Sequence, residues 1–385
     1  MSFYDEITAA GIAGYDAAVD ACTDGDVSRA LSKSRTGDSL DLGDFMALIS
    51  PRATPYLSDM AVLAEQYTRR RFGNTVSMYL PLYLSNLCLN NCRYCGFAAH
   101  NRFPRKFLTA EETRLECEAI RRMGYENILV VSGEDPRHCG MEYFREQLRI
   151  VNQYASYMSL EIQPLDTPEY REMKSLGVDY VCVYQETYDP ECYRENHLSG
   201  KKRDMRYRME TPERVGDAGI DKVGLGALLG LYRWKSDVVA LTRHLMYMRR
   251  HYPETRLSIS FPRLRPAEGG FQPEYPLSDR QMIQCLCAWR LFDRELEISI
   301  STRESPRFRD VITPVVITSI SAGSSTQPGG YAADHHDLSQ FVINDGRSVA
   351  EVSAALRRHG LEPVFREARS QILEPTGSEA AFPAA

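Results

Sequence analysis

The sequence contains no apolar run of about 18 residues, the length that a membrane-spanning helix needs. It also has no excess of positive charge, because its formal net charge is -6. Nucleic-acid binders neutralise phosphates with lysine and arginine, so this balance argues against a nucleic-acid partner and favours a small-molecule substrate. Residues 1–7 are acidic where a secretion signal is basic and then apolar. We therefore expect a cytoplasmic protein with no membrane partner.

The chain also lacks an internal repeat, and no low-complexity linker separates independent domains. Its 43% of hydrophobic and 25% of charged residues are typical of a globular protein that buries its own core. A length of 385 residues is compatible with one large domain that carries terminal extensions, since α/β barrels commonly reach about 250 residues or more.

From Val76 onward, short β-branched or aromatic runs alternate with longer amphipathic stretches, which is the pattern of repeated βα units. The eight predicted strands are 77–84, 127–132, 158–163, 179–185, 222–228, 256–261, 296–302 and 315–321. The clearest helical patterns are 110–123, 141–157, 237–251 and 278–292. Eight strands with helical crossovers predict a closed (β/α)₈ barrel of the TIM type.

The remaining residues divide the chain into three predicted regions. Residues 1–76 are expected to form an N-terminal helical extension, in which Ser58 caps an amphipathic helix. The barrel is expected over 77–330. Residues 331–385 are expected to add a short helical cap at 348–358, a segment over the barrel at 339–345 and a frayed tail from Pro375.

Nine of the ten cysteines are assigned to two kinds. Cys22, Cys117, Cys182, Cys192, Cys285 and Cys287 are scattered through apolar or helical stretches and are interpreted as reduced core residues. Cys88, Cys92 and Cys95 are clustered in a C-x₃-C-x₂-C run directly after the first predicted strand, where a barrel places its active site. Such thiolates can hold three irons of a four-iron cube and leave the fourth open. A zinc site that also uses His100 is the alternative.

Several stretches carry a family resemblance. They are Asn91-Cys-Arg-Tyr-Cys-Gly-Phe, Val131-Ser-Gly-Glu, Leu160-Glu-Ile-Gln-Pro-Leu, Ser299-Ile-Ser-Thr-Arg-Glu-Ser-Pro-Arg-Phe-Arg-Asp and Ser319-Ile-Ser-Ala-Gly-Ser-Ser-Thr-Gln-Pro-Gly-Gly-Tyr. The cysteine spacing, with Tyr94 before the third cysteine, is the hallmark of the radical S-adenosylmethionine superfamily. Over residues 49–367 the chain resembles the 2-iminoacetate synthase family within it.

This resemblance implies a [4Fe–4S] cluster whose open iron binds S-adenosylmethionine, and a 5′-deoxyadenosyl radical formed by one-electron cleavage of that cofactor. The radical would take hydrogen from L-tyrosine, after which the Cα–Cβ bond breaks to give 2-iminoacetate (dehydroglycine) and p-cresol for thiazole and thiamine biosynthesis. The implied partners are a thiazole synthase, which receives an imine that water hydrolyses readily, and a flavodoxin-type or other low-potential electron donor.

Two related activities are alternatives. The maturase of iron-only hydrogenase also cleaves tyrosine but carries a second cluster on C-terminal cysteines, whereas no cysteine follows Cys287 here. We therefore expect tyrosine cleavage to be the endpoint. A related lyase acting on tryptophan or another aromatic amino acid shares the barrel and the amino-acid anchor, so the sequence leaves that alternative open.

The resemblance and the position of polar residues at strand ends together give the remaining site predictions. The predicted cofactor-binding residues are Tyr94, Ser132, Gly133, Glu134, Glu161, Gln163, Gln185 and Glu186. The predicted catalytic residues are Arg303, Ser319 and Ser321. Arg303 would grip the substrate carboxylate with two parallel hydrogen bonds, and an ion pair with Glu304 is its alternative role. His138 and His197 are both candidates for accepting the phenol proton.

Overall fold

The structure is a computed structural model that describes residues 1–264, 271–332, 340–341 and 343–367. Ser339 and Val342 of the expected segment over the barrel, and the expected frayed tail, lie outside the described residues. Among the residues described, no helix combines the length and the apolar character needed to cross a bilayer.

Eight parallel strands form a closed barrel, which confirms the fold class predicted from the sequence. The strands are β1 Thr75–Ser85, β2 Asn127–Ser132, β3 Tyr157–Glu161, β4 Tyr180–Cys182, β5 Lys222–Leu225, β6 Arg256–Ile259, β7 Glu297–Ile300 and β8 Ser319–Ser321. They are hydrogen-bonded in chain order from β2 to β8, and β1 closes the barrel by pairing with both β8 and β2.

Helices surround the barrel and extend it at both ends. The N-terminal helices are α1 Phe3–Ala10, α2 Tyr15–Asp20, α3 Asp24–Thr36, α4 Leu42–Ile49 and α5 Leu57–Phe72. The helices that follow are α6 Ala110–Arg122, α7 Met141–Val151, α8 Thr167–Ser175, α9 Pro190–Asn196, α10 Met205–Met209, α11 Thr211–Asp217, α12 Trp234–His251, α13 Asp279–Phe292, α14 Pro306–Val316 and α15 Val349–Arg358. The extension packs on the outer layer, where α4 and α5 contact α13, and α5 also contacts α14.

Local sequence explains where several of these helices begin. Thr109 accepts a hydrogen bond from the backbone N–H of Glu112, whose carboxylate accepts one from the Thr109 N–H, so the two residues cap the start of α6 reciprocally. Ser348 and Glu351 cap α15 in the same way. The prediction for Ser58 was wrong, because α5 begins at Leu57, directly after a 3₁₀ turn over Pro51–Tyr56.

Two further elements differ from the sequence prediction. The predicted strand 315–321 starts too early, because α14 runs to Val316 and only Ser319–Ser321 is extended. A short additional strand, β9 Glu362–Val364, pairs in parallel with the first residues of β1, where a frayed or helical end was expected. It ties the C-terminal region to the amino end of the barrel.

The alternation of residues in β1 shows how the barrel is filled. Val76, Met78, Leu80 and Leu82 are fully buried in the apolar core. Tyr79, on the alternate face, lines the space within the barrel together with residues such as Ser159 and Ser299. The barrel therefore has an apolar outer surface beneath the helices and a polar interior.

A buried ion pair anchors the carboxyl end of β8. The side chains of Arg309 and Asp345 are fully buried and paired, and Arg309 also donates to the carbonyl oxygen of Ser321. Arg347 joins them by bonding Asp345 and Asp310. Because an unpaired charge in the interior is costly, each member of this group depends on its partners.

Replacing Asp345 with alanine is expected to lower the free energy of unfolding of the apoprotein by about 3–5 kcal/mol, because it leaves the Arg309 charge buried without its carboxylate. Chemical denaturation measures this change. Asp310→Ala is the matched control, since it removes a partly exposed partner of Arg347 and should cost no more than about 1 kcal/mol. Equal losses for the two variants would contradict the role assigned to the buried pair.

Candidate active site

The carboxyl ends of the barrel strands surround a cavity of about 1420 Å³, counting the space at its open mouth. The predicted site residues that line it are Cys88, Cys92, Tyr94, Cys95, Ser132, Gly133, Glu134, Glu161, Glu186, Arg303 and Ser321. They come from the loops after β1, β2, β4 and β7 and from the last residues of β2, β3 and β8. Three thiols, several carboxylates and a guanidinium therefore face one space at the carboxyl end of the barrel.

Three predicted site residues do not line this cavity. Gln163 donates its side-chain N–H to the carbonyl oxygen of Cys139 at 3.1 Å, and Gln185 donates to that of Val183 at 2.7 Å. Ser319 begins β8 and lines the space deeper in the barrel. The two glutamine side chains therefore hydrogen-bond to backbone carbonyls. Ser319 lies at the end of β8 that is farther from the cavity.

Neither histidine proposed as a phenol proton acceptor lines the cavity. His138 contacts Asp135 through Nδ1 at 3.0 Å. In His197, the Nδ1 atom lies 2.7 Å from the carbonyl oxygen of Tyr193, so it carries the proton, and Nε2 accepts from the Tyr94 hydroxyl at 2.7 Å. Burial lowers the pKa of His197 to about 3, so this ring is neutral and serves to orient Tyr94.

The cysteine loop is held by one guanidinium. Arg105 donates to the carbonyl oxygens of Asn86, Phe97 and Ala98 at 2.6–2.8 Å and to that of Asn101 at 3.2 Å. These four carbonyls flank the cysteine run on both sides. Since loop carbonyls that face the interior need a donor, this single side chain fixes the curvature of the whole loop.

The turn after β2 packs directly against the same loop. A Cβ atom on Gly133 would overlap the carbonyl oxygen of Leu87 and lie 3.2 Å from the Cβ of Cys88. The N–H of Leu89 donates to the carbonyl oxygen of Glu134 at 3.0 Å. Beside it, the hydroxyl oxygen of Ser132 is buried and has no hydrogen-bond partner among the described residues. Only glycine permits this approach, and Ser132 beside it lines the cavity with a hydroxyl that no described group bonds.

A buried network of charges forms the next wall of the cavity. Arg208 bonds Glu134 at 2.9 Å and lies 3.5 Å from Glu186, which in turn bonds Lys202 at 2.6 Å. Although burial alone raises the pKa of Glu186, the charges of Lys202 and Arg208 bring it below its ordinary value. Glu186 also has φ +69, a left-handed conformation that non-glycine residues rarely adopt. The network fixes this strained residue in place.

Sequence reasoning missed Lys202 and Arg208. Both lie far from the cysteines in sequence, and basic residues in that region are common, with Lys201, Arg203 and Arg206 nearby. No local pattern separates the two that turn inward from the three that face solvent. The group of two cations and two carboxylates forms because the fold brings the segments after β2 and β4 together, which no local sequence pattern indicates.

Two side chains in the cavity have open polar groups. Burial raises the pKa of Glu161 to about 6, with Arg303 acting in the opposite direction, and among the described residues no donor bonds its carboxylate. Arg303 does not pair with Glu304, because that carboxylate bonds Arg263. Its guanidinium instead stacks on the ring of Phe341, 3.6 Å from the centroid. Stacking leaves the edge of the guanidinium open to an anion in the cavity.

The three thiols line one cavity and are the kind of ligand that an iron–sulfur cluster takes. Burial and the nearby Glu134 raise the pKa of Cys88 to about 11, and burial also raises the pKa of Cys92. Bound iron stabilises the thiolate form against this burial. In the part of the chain that the structure describes, no three histidine, cysteine or acidic side chains converge closely enough for a single metal ion, and His100 bonds Asn91 instead. The zinc alternative is therefore not supported.

Comparison with known proteins identifies the family. The radical SAM superfamily matches residues 82–245, and the Biotin and Thiamin Synthesis associated domain matches residues 260–362. The chain is 49% identical to the 2-iminoacetate synthase of Salmonella typhimurium and 50% identical to that of Escherichia coli, each over 346 residues, covering 90% of this chain and 91% of the relative. The chain belongs to the 2-iminoacetate synthase family.

Membership of the 2-iminoacetate synthase family makes the protein a radical S-adenosylmethionine enzyme of the lyase class, and it implies an iron–sulfur cluster and S-adenosylmethionine. The resemblance predicted from the sequence is confirmed. The crystal structure of HydG, a maturase of the [FeFe]-hydrogenase, matches with a TM-score of 0.85 and 30% identity, covering 90% of this chain and 78% of that one. The structure of methylornithine synthase, at 20% identity and a TM-score of 0.70, shares the fold.

Gly133→Ala is expected to prevent stable iron loading, because the added methyl group displaces the backbone of Leu87 and with it the adjoining Cys88. Iron per chain after anaerobic reconstitution measures the effect. Gly14→Ala is the matched control, since a Cβ atom at Gly14 meets nothing within 4 Å. Full iron loading of the Gly133 variant would show that the close approach does not position the loop.

Proposed function

We propose that this 2-iminoacetate synthase family member cleaves the Cα–Cβ bond of L-tyrosine to 2-iminoacetate and p-cresol for thiazole biosynthesis, using a [4Fe–4S] cluster and S-adenosylmethionine. The observation that carries the proposal is that Cys88, Cys92 and Cys95 line the same cavity as Arg303, whose guanidinium pairs with no carboxylate among the described residues. The names of the two curated relatives support the same reaction.

The three thiols would hold the cluster, and the wall beside them would hold S-adenosylmethionine. Bound at these residues, a cluster and S-adenosylmethionine would supply one-electron radical chemistry. The chain itself supplies fixed polar partners: the free Ser132 hydroxyl, the backbone at Gly133, and the carboxylates of Glu134 and Glu161. Arg208 and Lys202 orient Glu134 and Glu186, so these carboxylates need little reorganisation when a ligand arrives.

Tyrosine would bind with its carboxylate on Arg303. A planar guanidinium makes two parallel hydrogen bonds to a carboxylate, which fixes the amino group and Cα relative to the cofactor. Phe341 holds the guanidinium from one face, and the Ser321 hydroxyl lies on the cavity wall as a further polar group. We propose that Ser321 contributes to the lyase reaction, whereas Ser319, two residues earlier, lines a different space.

The proposal also includes the partners. The imine product hydrolyses readily in water, so direct transfer to a thiazole synthase protects it, and a low-potential donor must supply electrons. Cytoplasmic location fits these needs, and all ten cysteines lie in the described part of the chain as free thiols, as expected in a reducing compartment.

Anaerobic incubation of the reconstituted enzyme with reductant, S-adenosylmethionine and L-tyrosine is expected to yield p-cresol, measured by mass spectrometry. Cys92→Ala should abolish it through loss of a cluster ligand. Cys117→Ala should retain it, because Cys117 is a buried core residue on α6 away from the cavity. Absence of p-cresol together with an indole product from tryptophan would overturn the tyrosine assignment in favour of the tryptophan alternative.

Arg303→Lys is expected to raise KM for tyrosine about 10- to 100-fold, since lysine keeps the charge but loses the paired hydrogen bonds, worth about 1.5–3 kcal/mol. Steady-state kinetics of p-cresol formation measures it. Arg307→Lys, four residues later and exposed on α14, is the control that should leave KM unchanged. An unaltered KM in the Arg303 variant would remove this residue from substrate binding.

A further inference from the structure

The outer surface of the cysteine loop carries an unusual combination of exposed leucines and cations. Leu89 and Leu198 are 37% and 50% exposed, which sets them among the few large hydrophobic side chains open to solvent in the described residues. Arg93, Lys201 and Arg203 are exposed beside them. We call these five residues the loop face.

Hydrogen bonds join the segment that carries Arg93 to the segment that carries Leu198 and Arg203. The N–H of Leu198 donates to the carbonyl oxygen of Asn91, and the N–H of Asn91 donates to that of Ser199. Arg203 donates to the carbonyl oxygen of Leu198 at 3.0 Å. The N–H of Arg93 bonds the carbonyl oxygen of Asn196 at 3.0 Å, so the cysteine loop and the segment after α9 form a single rigid platform.

The charge of the loop face contrasts with that of the whole chain. The protein carries a net charge of -6, yet the cations at Arg93, Lys201 and Arg203 form no ion pair with any carboxylate in the described residues. Arg93 lies over the ring of Phe271, and the nearby carboxylate of Asp204 caps the start of α10. A local basic patch on an acidic protein steers an acidic partner to one place.

The loop face lies directly beside a predicted cluster ligand. Cys92 is 4% exposed, and its backbone forms a bridge with His197, the residue that precedes Leu198. Arg93 follows Cys92 directly in the chain. Because electron transfer falls steeply with distance, a donor seated on this surface would approach the cluster more closely than from the helical side of the barrel.

We propose that the loop face is the docking surface for an acidic protein that donates one electron at a time. The proposal rests on the cluster assigned above, since the electron passes from the donor to that cluster; the donor is oxidised by one electron and the cluster is reduced by one. The two leucines supply apolar contact, as the centres of protein interfaces commonly do, while the cations select the charge of the partner.

The test compares the reduction of the anaerobically reconstituted enzyme by two reductants. Acidic flavodoxin in its hydroquinone form requires docking, whereas dithionite reaches the cluster without it. In the double variant Lys201→Glu/Arg203→Glu, reduction by flavodoxin at low salt is expected to slow by on the order of 10- to 100-fold, while reduction by dithionite stays unchanged. Stopped-flow absorbance follows both reactions, and the Kd for flavodoxin should rise in parallel.

The matched control is Arg121→Glu/Arg122→Glu, which reverses two exposed arginines at the end of α6, beside the amino ends of the strands and so at the opposite rim of the barrel. It should leave reduction by flavodoxin unchanged. Added salt should slow the reduction of the unaltered enzyme by flavodoxin. It should also bring the reduction rates of the unaltered enzyme and of Lys201→Glu/Arg203→Glu closer together. Equal slowing in both double variants, or none in Lys201→Glu/Arg203→Glu, would overturn the docking surface. Formation of p-cresol with dithionite tests the proposed reaction separately.

Discussion

The site depends on the contact between the cysteine loop and the turn after β2. Gly133 lies so close to Leu87 that no side chain fits between them, and the carbonyl oxygen of Glu134 accepts a hydrogen bond from Leu89. The side chain of Asn90, a residue of the cysteine loop, also donates to the Glu134 carboxylate at 2.7 Å. This contact fixes a loop that has no regular secondary structure to the rigid end of a barrel strand, and so places the thiols at the cavity.

Charge organises the rest of the cavity. Arg208 links Glu134 to Glu186, and Lys202 completes the group, so two cations neutralise two carboxylates in a buried wall. Paired in this way, the charges tolerate burial and present fixed dipoles to a ligand. Arg303 is held differently, by stacking on Phe341, which leaves its donors available. Arg208 and Lys202 therefore shape the cavity, whereas Arg303 can bind an incoming anion.

Much of this architecture could be predicted because its signals are local. The alternation of strand and helix patterns predicted the barrel, and the cysteine spacing predicted the loop that carries the three thiols. Two predicted site residues lie away from the cavity for local reasons: Gln163 follows the end of β3, where strand alternation no longer fixes the direction of a side chain, and Ser319 begins its strand rather than ending it. Lys202 and Arg208 could not be predicted, because their roles arise from contacts between loops distant in sequence.

The central claim is that three thiols leave one iron open for S-adenosylmethionine beside the substrate cavity. Pulsed electron paramagnetic resonance of the reduced enzyme with S-adenosylmethionine labelled with ¹⁷O in its carboxylate and ¹⁵N in its amino group tests it most directly. The account predicts hyperfine coupling from both labels, which shows direct ligation of the cluster. A reduced cluster whose spectrum shows neither coupling would contradict it.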